Sequence, residues 1–226
     1  MRQIRRDPEF FEEIDPKDCR KAAGLDVAGQ GTDETVHITL TGPKVTKLSA
    51  FHKMHLNELV GWEKILWKED GYEALAYDAG GLADVGSFLN EEGIPANGYM
   101  FGSSMESEKF DNFAAFIWWQ LRQAFENGEI FIPDDKILVG QLAGRKYDPT
   151  SKGKLKVKLE QKSSARARGE ASPDRADALA LAWYARKFLL GDGKATGSAD
   201  NESLELEGKM NFRKDEPQLD ALSIRY

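Results

Sequence analysis

The 226-residue chain is poor in the residues that mark several protein classes. It holds one cysteine, Cys19, so no internal disulfide can form. A reducing compartment is therefore the expected setting. The three histidines, His37, His52 and His55, have no metal-ligand spacing with a cysteine, which argues against a zinc site and leaves them as structural or surface residues. The longest apolar stretch, around Phe113 to Leu121, is far shorter than the ~20 residues a membrane helix needs. The charged N-terminus lacks the apolar core of a signal peptide. No G-x-x-x-x-G-K-[ST] loop occurs, since Gly42-Pro43-Lys44 has neither the length nor the hydroxyl residue, so ATP hydrolysis is not expected. Gly80-Gly81 is too short for a dinucleotide fingerprint, and no internal repeat is visible.

What is present suits one globular domain with a sizeable core: 41% of residues are hydrophobic and 31% charged. The net charge of -7 argues, by itself, against a nucleic-acid partner. Averages hide patches, however. Between Arg145 and Arg168 there are nine lysines or arginines and only two acids, Asp148 and Glu160. Such a block fits phosphate contact, and equally a solvated hairpin guarded by lysines. The alternation of Lys152, Lys154, Lys156 and Lys158 favours DNA modestly, because one strand face would carry one sign. The expected DNA contacts are Lys154, Lys156, Lys158, Lys162, Arg166 and Arg168, with Lys162 foremost for its closeness to the last acidic motif.

Residues 1–21 read as a charged lead-in segment and 22–190 as the folded domain. The Gly-, Ser-, Asp- and Glu-rich stretch 191–226 is expected to be largely disordered. Within the domain, Gly24 to Gly29 reads as a strand ending in a turn. Thr35 to Leu40 and Val45 to Met54 follow as strands. His55 to Lys68 has helical period, Tyr72 to Tyr77 is a short buried strand, Leu82 to Asn90 a helix and Gly98 to Phe101 a strand. Lys109 to Glu126 is a long helix stopped by Asn127-Gly128. Lys136 to Tyr147 and Lys154 to Gln161 are expected to form a wide, basic β-hairpin. Ser172-Pro173 opens the last helix, with Ser172 as cap. The order implies an α/β fold: a mixed sheet flanked by helices, with an additional basic hairpin.

Three acids sit where an apolar core would not place them. Asp26 ends the strand Ala22-Ala23-Gly24-Leu25, and Asp78 ends Ala74-Leu75-Ala76-Tyr77. Asp177 shares a helical stripe with Ala180, Leu181 and Tyr184. Singly, Asp26 suits a turn and Asp78 a helix cap, and Asp174 suits a first helical turn. Asp177 is the hardest to explain in such terms. Buried carboxylates are costly unless paired or metal-bound. Gathered together, they suit hard divalent cations, and two such ions can hydrolyse a phosphodiester.

These motifs carry a resemblance. Gly24-Leu25-Asp26-Val27-Ala28, followed by Gly31, Asp33 and Thr35, resembles the first strand of the nuclease domain of tailed-bacteriophage terminase large subunits. Tyr77-Asp78-Ala79-Gly80-Gly81 resembles the second acidic motif of that family. Ser172 to Leu181, S-P-D-R-A-D-A-L-A-L, resembles its closing motif and is the most specific of the three. The resemblance covers residues 22–190 and implies an RNase H-like fold that cuts concatemeric double-stranded viral DNA with two Mg²⁺ or Mn²⁺ ions. By it, Asp26, Asp78 and Asp177 are catalytic metal ligands, and Asp174 is an auxiliary ligand. It implies as partners an ATPase domain, the portal and the terminase small subunit, in a packaging complex in the host cytoplasm. The missing phosphate-binding loop departs from the full-length pattern and suggests an excised or separately encoded nuclease domain. Another RNase H-like nuclease, such as a Holliday-junction resolvase, and a non-catalytic DNA-clamp or packaging module remain alternatives. Trp118-Trp119 reads as core with one partly exposed ring, and partner binding as the lesser possibility.

Overall fold

The computed structural model describes residues 20–28, 33–80, 85–148 and 156–190. The lead-in over 1–21 falls outside these save for Arg20 and Lys21, and the stretch 191–226 falls outside entirely. Five strands form one sheet: β1 (Lys21–Asp26), β2 (Glu34–Thr41), β3 (Lys44–His52), β4 (Ala74–Asp78) and β5 (Ala96–Tyr99). Their order is β3-β2-β1-β4-β5. β1 runs antiparallel to β2 and parallel to β4, and β4 is parallel to β5, so the sheet is mixed, as the sequence predicts. Around it lie α1 (Leu56–Asp70), α2 (Val85–Glu91), α3 (Phe113–Asn127), α4 (Lys136–Gly144), α5 (Lys162–Ala167) and α6 (Asp174–Leu190). This is the RNase H-like arrangement of a mixed sheet between helices. None of the described helices is long and apolar enough to cross a membrane.

Strand alternation sends side chains to two cores. Ala22, Val36, Ile38, Leu40, Ala74 and Ala76 pack with α3 and α6. Ala23, Leu25, Val27, Leu75 and Ala96 pack with α1 and α2. Asp26 and Asp78 continue the phase of Ala22 and Ala76, so both belong to the α6 face. The parallel register Leu25↔Tyr77 sets them side by side as the next residues along each strand. Gly24 decides how closely α6 approaches. A Cβ there would lie 2.1 Å from the Ala178 carbonyl oxygen and 2.3 Å from the Ala182 nitrogen. The helix therefore rests on bare β1 backbone one residue past Asp177.

Two expectations fail in the basic region. Lys136–Gly144 is helix α4 where a strand was predicted. Its β-branched pair Ile137 and Val139 points outward, while Leu138 is buried and the Asp135 side chain caps the helix by accepting from Leu138 N–H at 2.7 Å. The predicted wide hairpin shrinks, among the described residues, to β6 (Tyr147–Asp148) paired with β7 (Lys158–Leu159). Of the four alternating lysines, Lys158 lies in β7, Lys156 lies just before it outside the strand, and Lys152 and Lys154 lie outside the described residues. Lys162 to Ala167, in the stretch between the predicted hairpin and the last helix, form helix α5. At the last helix the boundary shifts by one: the Asp177 N–H bonds the Pro173 carbonyl, so Pro173 holds the cap position and the Ser172 hydroxyl has no hydrogen bond among the described residues. Helix α3 begins at Phe113 rather than near Lys109, because the Asn112 side chain accepts from Ala115 N–H. It ends at Gly128 as predicted, in the left-handed conformation with φ 71°.

Candidate active site

Four carboxylates meet at the carboxyl ends of β1 and β4 under the first turn of α6. Asp26, Asp174 and Asp177 are 8%, 5% and 1% exposed, and Asp78 is half-buried. For the last three, an N–H donor fixes one oxygen. Asp78 Oδ1 accepts from Gly80 N–H at 2.9 Å, and Asp174 Oδ2 accepts from Glu34 N–H at 2.7 Å. Asp177 Oδ1 accepts from the Trp118 indole at 2.8 Å. Arg175 steadies the Asp174 contact by gripping Glu34 with two 2.9 Å hydrogen bonds while reaching Asp135 at 2.8 Å. Asp26 has no such donor among the described residues.

Charge is out of balance here. Burial pushes the Asp26 carboxyl well above its ordinary range, and Asp177, Asp174 and Asp78 push it further, against the pull of Lys162. Burial also raises Asp177, opposed by Lys162, Arg145 and the Trp118 hydrogen bond. Lys162, at the start of α5, stands 3.2 Å from Asp177 Oδ2. Its own burial lowers its affinity for a proton, but Asp177, Asp26 and Asp174 outweigh that and hold it charged above the usual lysine value. The contact is an ion pair without hydrogen-bond geometry, so Oδ2 remains buried and unbonded among the described residues. Lys162, expected from sequence to meet a DNA phosphate beside the last acidic motif, is thus paired here with Asp177 itself, brought in by helix α5.

Three of the remaining cations proposed for DNA are engaged with acids. Arg168 holds Glu160 through two 2.9 Å bonds, Arg166 lies 3.4 Å from Asp33, and Lys158 is 3.7 Å from Asp111. Lys156 is half-buried beside them, and Lys154 lies outside the described residues. Two residues near the acids were not read from sequence as serving them. Trp118 was read with Trp119 as core, with partner binding as the lesser possibility. Arg145 was counted in the basic block alone, yet its guanidinium lies 5.8 Å from the Trp118 ring centre and helps hold Asp177 ionised. Spacing along the chain gave no sign of either contact.

This donor set suits a divalent cation in kind. Carboxylate oxygens are the hard ligands that Mg²⁺ and Mn²⁺ prefer. The buried, unbonded Asp177 Oδ2 and the mutual repulsion at Asp26 are what a cation would relieve. Among the described residues the acids are not drawn into a closed set of three ligands. The residues fit the group in kind, with each carboxylate except Asp26 keeping one oxygen tied to an N–H donor.

The fold is that of the nuclease domains of phage terminase large subunits. No family model and no curated relative matches the sequence. Solved structures do match it. The large terminase nuclease of thermophilic phage G20c with bound magnesium is 20% identical, with 73% of this chain and 80% of that one covered at a TM-score of 0.58. The nuclease domain of the large terminase subunit of bacterial virus Sf6 is 18% identical, with 72% and 87% covered and a TM-score of 0.59. A lysine-to-alanine variant of the Sf6 domain, solved with manganese and beta-thujaplicinol, gives the same coverage and a TM-score of 0.62.

Proposed function

We propose that this chain is a divalent-metal-dependent DNA endonuclease that cuts double-stranded concatemeric viral DNA during genome packaging. The observation that carries the reading is the gathering of four carboxylates, three buried and one half-buried, at two parallel strand ends and one helix start, with one lysine in direct ion pairing among the described residues. The likeness in fold to domains solved with magnesium and manganese supports it.

Asp26, Asp78 and Asp177 would hold the ions, with Asp174 as auxiliary ligand. Two bound Mg²⁺ or Mn²⁺ ions would supply an activated water and stabilise the leaving oxygen of the phosphodiester. The protein's own part is positional. The Gly24 contact fixes α6 over β1, so Asp177 faces the Asp26–Asp78 pair. Trp118 and the backbone N–H groups of Gly80 and Glu34 orient one oxygen of Asp177, Asp78 and Asp174 respectively. Lys162 balances part of the acidic charge and, being exposed on one side, can exchange Asp177 for a DNA phosphate. Lys154, Lys156, Lys158, Arg166 and Arg168 would extend that contact along the backbone. In the packaging motor the domain would work beside an ATPase domain, the portal and the small subunit, in the host cytoplasm, with residues 22–190 as the cutting unit.

The test is incubation of supercoiled plasmid with Mg²⁺ or Mn²⁺. Nicked and linear products are expected, lost in EDTA and lost in Asp26→Asn with the circular dichroism spectrum unchanged. Full cutting in EDTA or by Asp26→Asn would overturn the metal mechanism. Cutting of branched DNA alone would favour a junction resolvase.

A further inference from the structure

Asp177 is held differently from the other acids: its fixed oxygen is bound by a side chain. The Trp118 indole N–H donates to Oδ1 at 2.8 Å, and both residues are buried. Oδ2 is left without a hydrogen bond among the described residues and faces Lys162 at 3.2 Å. We propose that Trp118 is a positioning residue that fixes the Asp177 carboxylate so that Oδ2 alone is presented to the cation of the site. The proposal rests on the metal reading above.

The torsion that turns a carboxylate about its Cβ–Cγ bond is broad and nearly two-fold, so packing alone sets it poorly. A directional donor sets it well. The indole N–H is a donor only and cannot exchange roles with the carboxylate. Its ring has little freedom: Trp118 is buried on α3 among the residues that pack against α6, and the Arg145 guanidinium sits 5.8 Å from its centre. Burial by itself does not force the pairing. The adjacent Trp119 keeps its buried indole nitrogen without a hydrogen bond among the described residues. Without the Trp118 donor the carboxylate could turn either oxygen to Lys162, and the ion pair would compete better with an incoming metal.

The experiment is calorimetric titration of the whole chain with Mn²⁺, comparing the wild type, Trp118→Phe and Asp177→Asn. The phenylalanine keeps an aromatic ring but removes the donor together with part of the buried indole volume. Mn²⁺ affinity about tenfold weaker in Trp118→Phe, in the range seen when partners of metal ligands are removed, is the expected result. Affinity equal to wild type would overturn the proposal. If Asp177→Asn also binds Mn²⁺ as wild type does, the assignment of Asp177 as a ligand falls, and the proposal with it. A second measurement does not depend on the variant folding. In the wild type, the indole N–H resonance of Trp118 should shift on adding Mg²⁺, and in Asp177→Asn it should stay. A resonance unmoved by Mg²⁺ in the wild type would overturn the proposal.

Discussion

Two groups of polar side chains are buried against opposite faces of the same sheet, and they are built on different terms. Under α1, Glu63 gives one oxygen to His37 at 2.8 Å and the other to the Tyr72 hydroxyl at 2.9 Å. The second His37 nitrogen meets Thr39 at 2.9 Å, Thr39 bonds Asp70, and Lys47 pairs Asp70 at 3.1 Å. Each polar group in that chain has a partner, and burial beside Glu63 raises the Tyr72 hydroxyl far above its ordinary value, keeping it a neutral donor. Under α6, among the described residues, four carboxylates share one directly paired lysine and a buried oxygen of Asp177 is unbonded. A satisfied network stabilises and specifies a core. An unsatisfied cluster of one sign lowers stability and marks a place where a ligand supplies what the protein withholds.

The contrast is most exposed at Glu63. Glu63→Ala strands His37 and Tyr72 in the core, and removing one partner of such a buried network costs about 3–5 kcal/mol. Urea unfolding should show that loss, while plasmid cutting by the folded fraction persists at low temperature. Lost cutting with unchanged stability would reverse the roles of the two clusters.

Gly24→Ala probes the contact that joins the acids. With the Ala178 carbonyl 2.1 Å from the new Cβ, the neighbouring backbone has to move, at a cost of roughly 1–3 kcal/mol. Because α6 moves away from β1, cutting should fall more than the change in melting temperature alone would predict. Wild-type cutting would show that the site tolerates a displaced α6.

Asp26→Asn should move stability the other way. The folded state holds the Asp26 carboxyl well above the unfolded value of about 4, so it binds a proton more tightly than the unfolded chain does. The cost is absent below the unfolded value, grows as pH rises through the folded value and stays constant above it. Without metal, the variant should therefore melt above wild type at pH 7, by roughly 2–4 °C per kcal/mol relieved. The gap should close near pH 4. A lower melting temperature at pH 7 would show that Asp26 is paired rather than strained.

The smallest effect is expected at Arg168. Its ion pair with Glu160 is partly exposed, and such pairs contribute about 0–1 kcal/mol. If Arg168 also meets a phosphate, Arg168→Ala should reduce the salt dependence of duplex binding by about one unit of log–log slope, equally for every sequence. An unchanged slope would assign Arg168 to structure alone.

The sequence by itself determined the mixed sheet and singled out three acids, because strand alternation and strand-end carboxylates are local patterns. Asp26 and Asp78 each close an apolar strand, and Asp177 breaks an apolar helical stripe, so all three stand out against their neighbours. The basic region was read less well. Ile137 and Val139 have strand propensity, yet the Asp135 cap and the burial of Leu138 make a helix. Only the tertiary structure decided which groups serve the acids. Lys162 lies 15 residues before Asp177 and Trp118 lies 59 before it, and no spacing rule links such positions. They meet because α5 turns back toward α6 and α3 packs on α6. A contact made by packing distant segments leaves no local trace, whereas a carboxylate in an apolar run does.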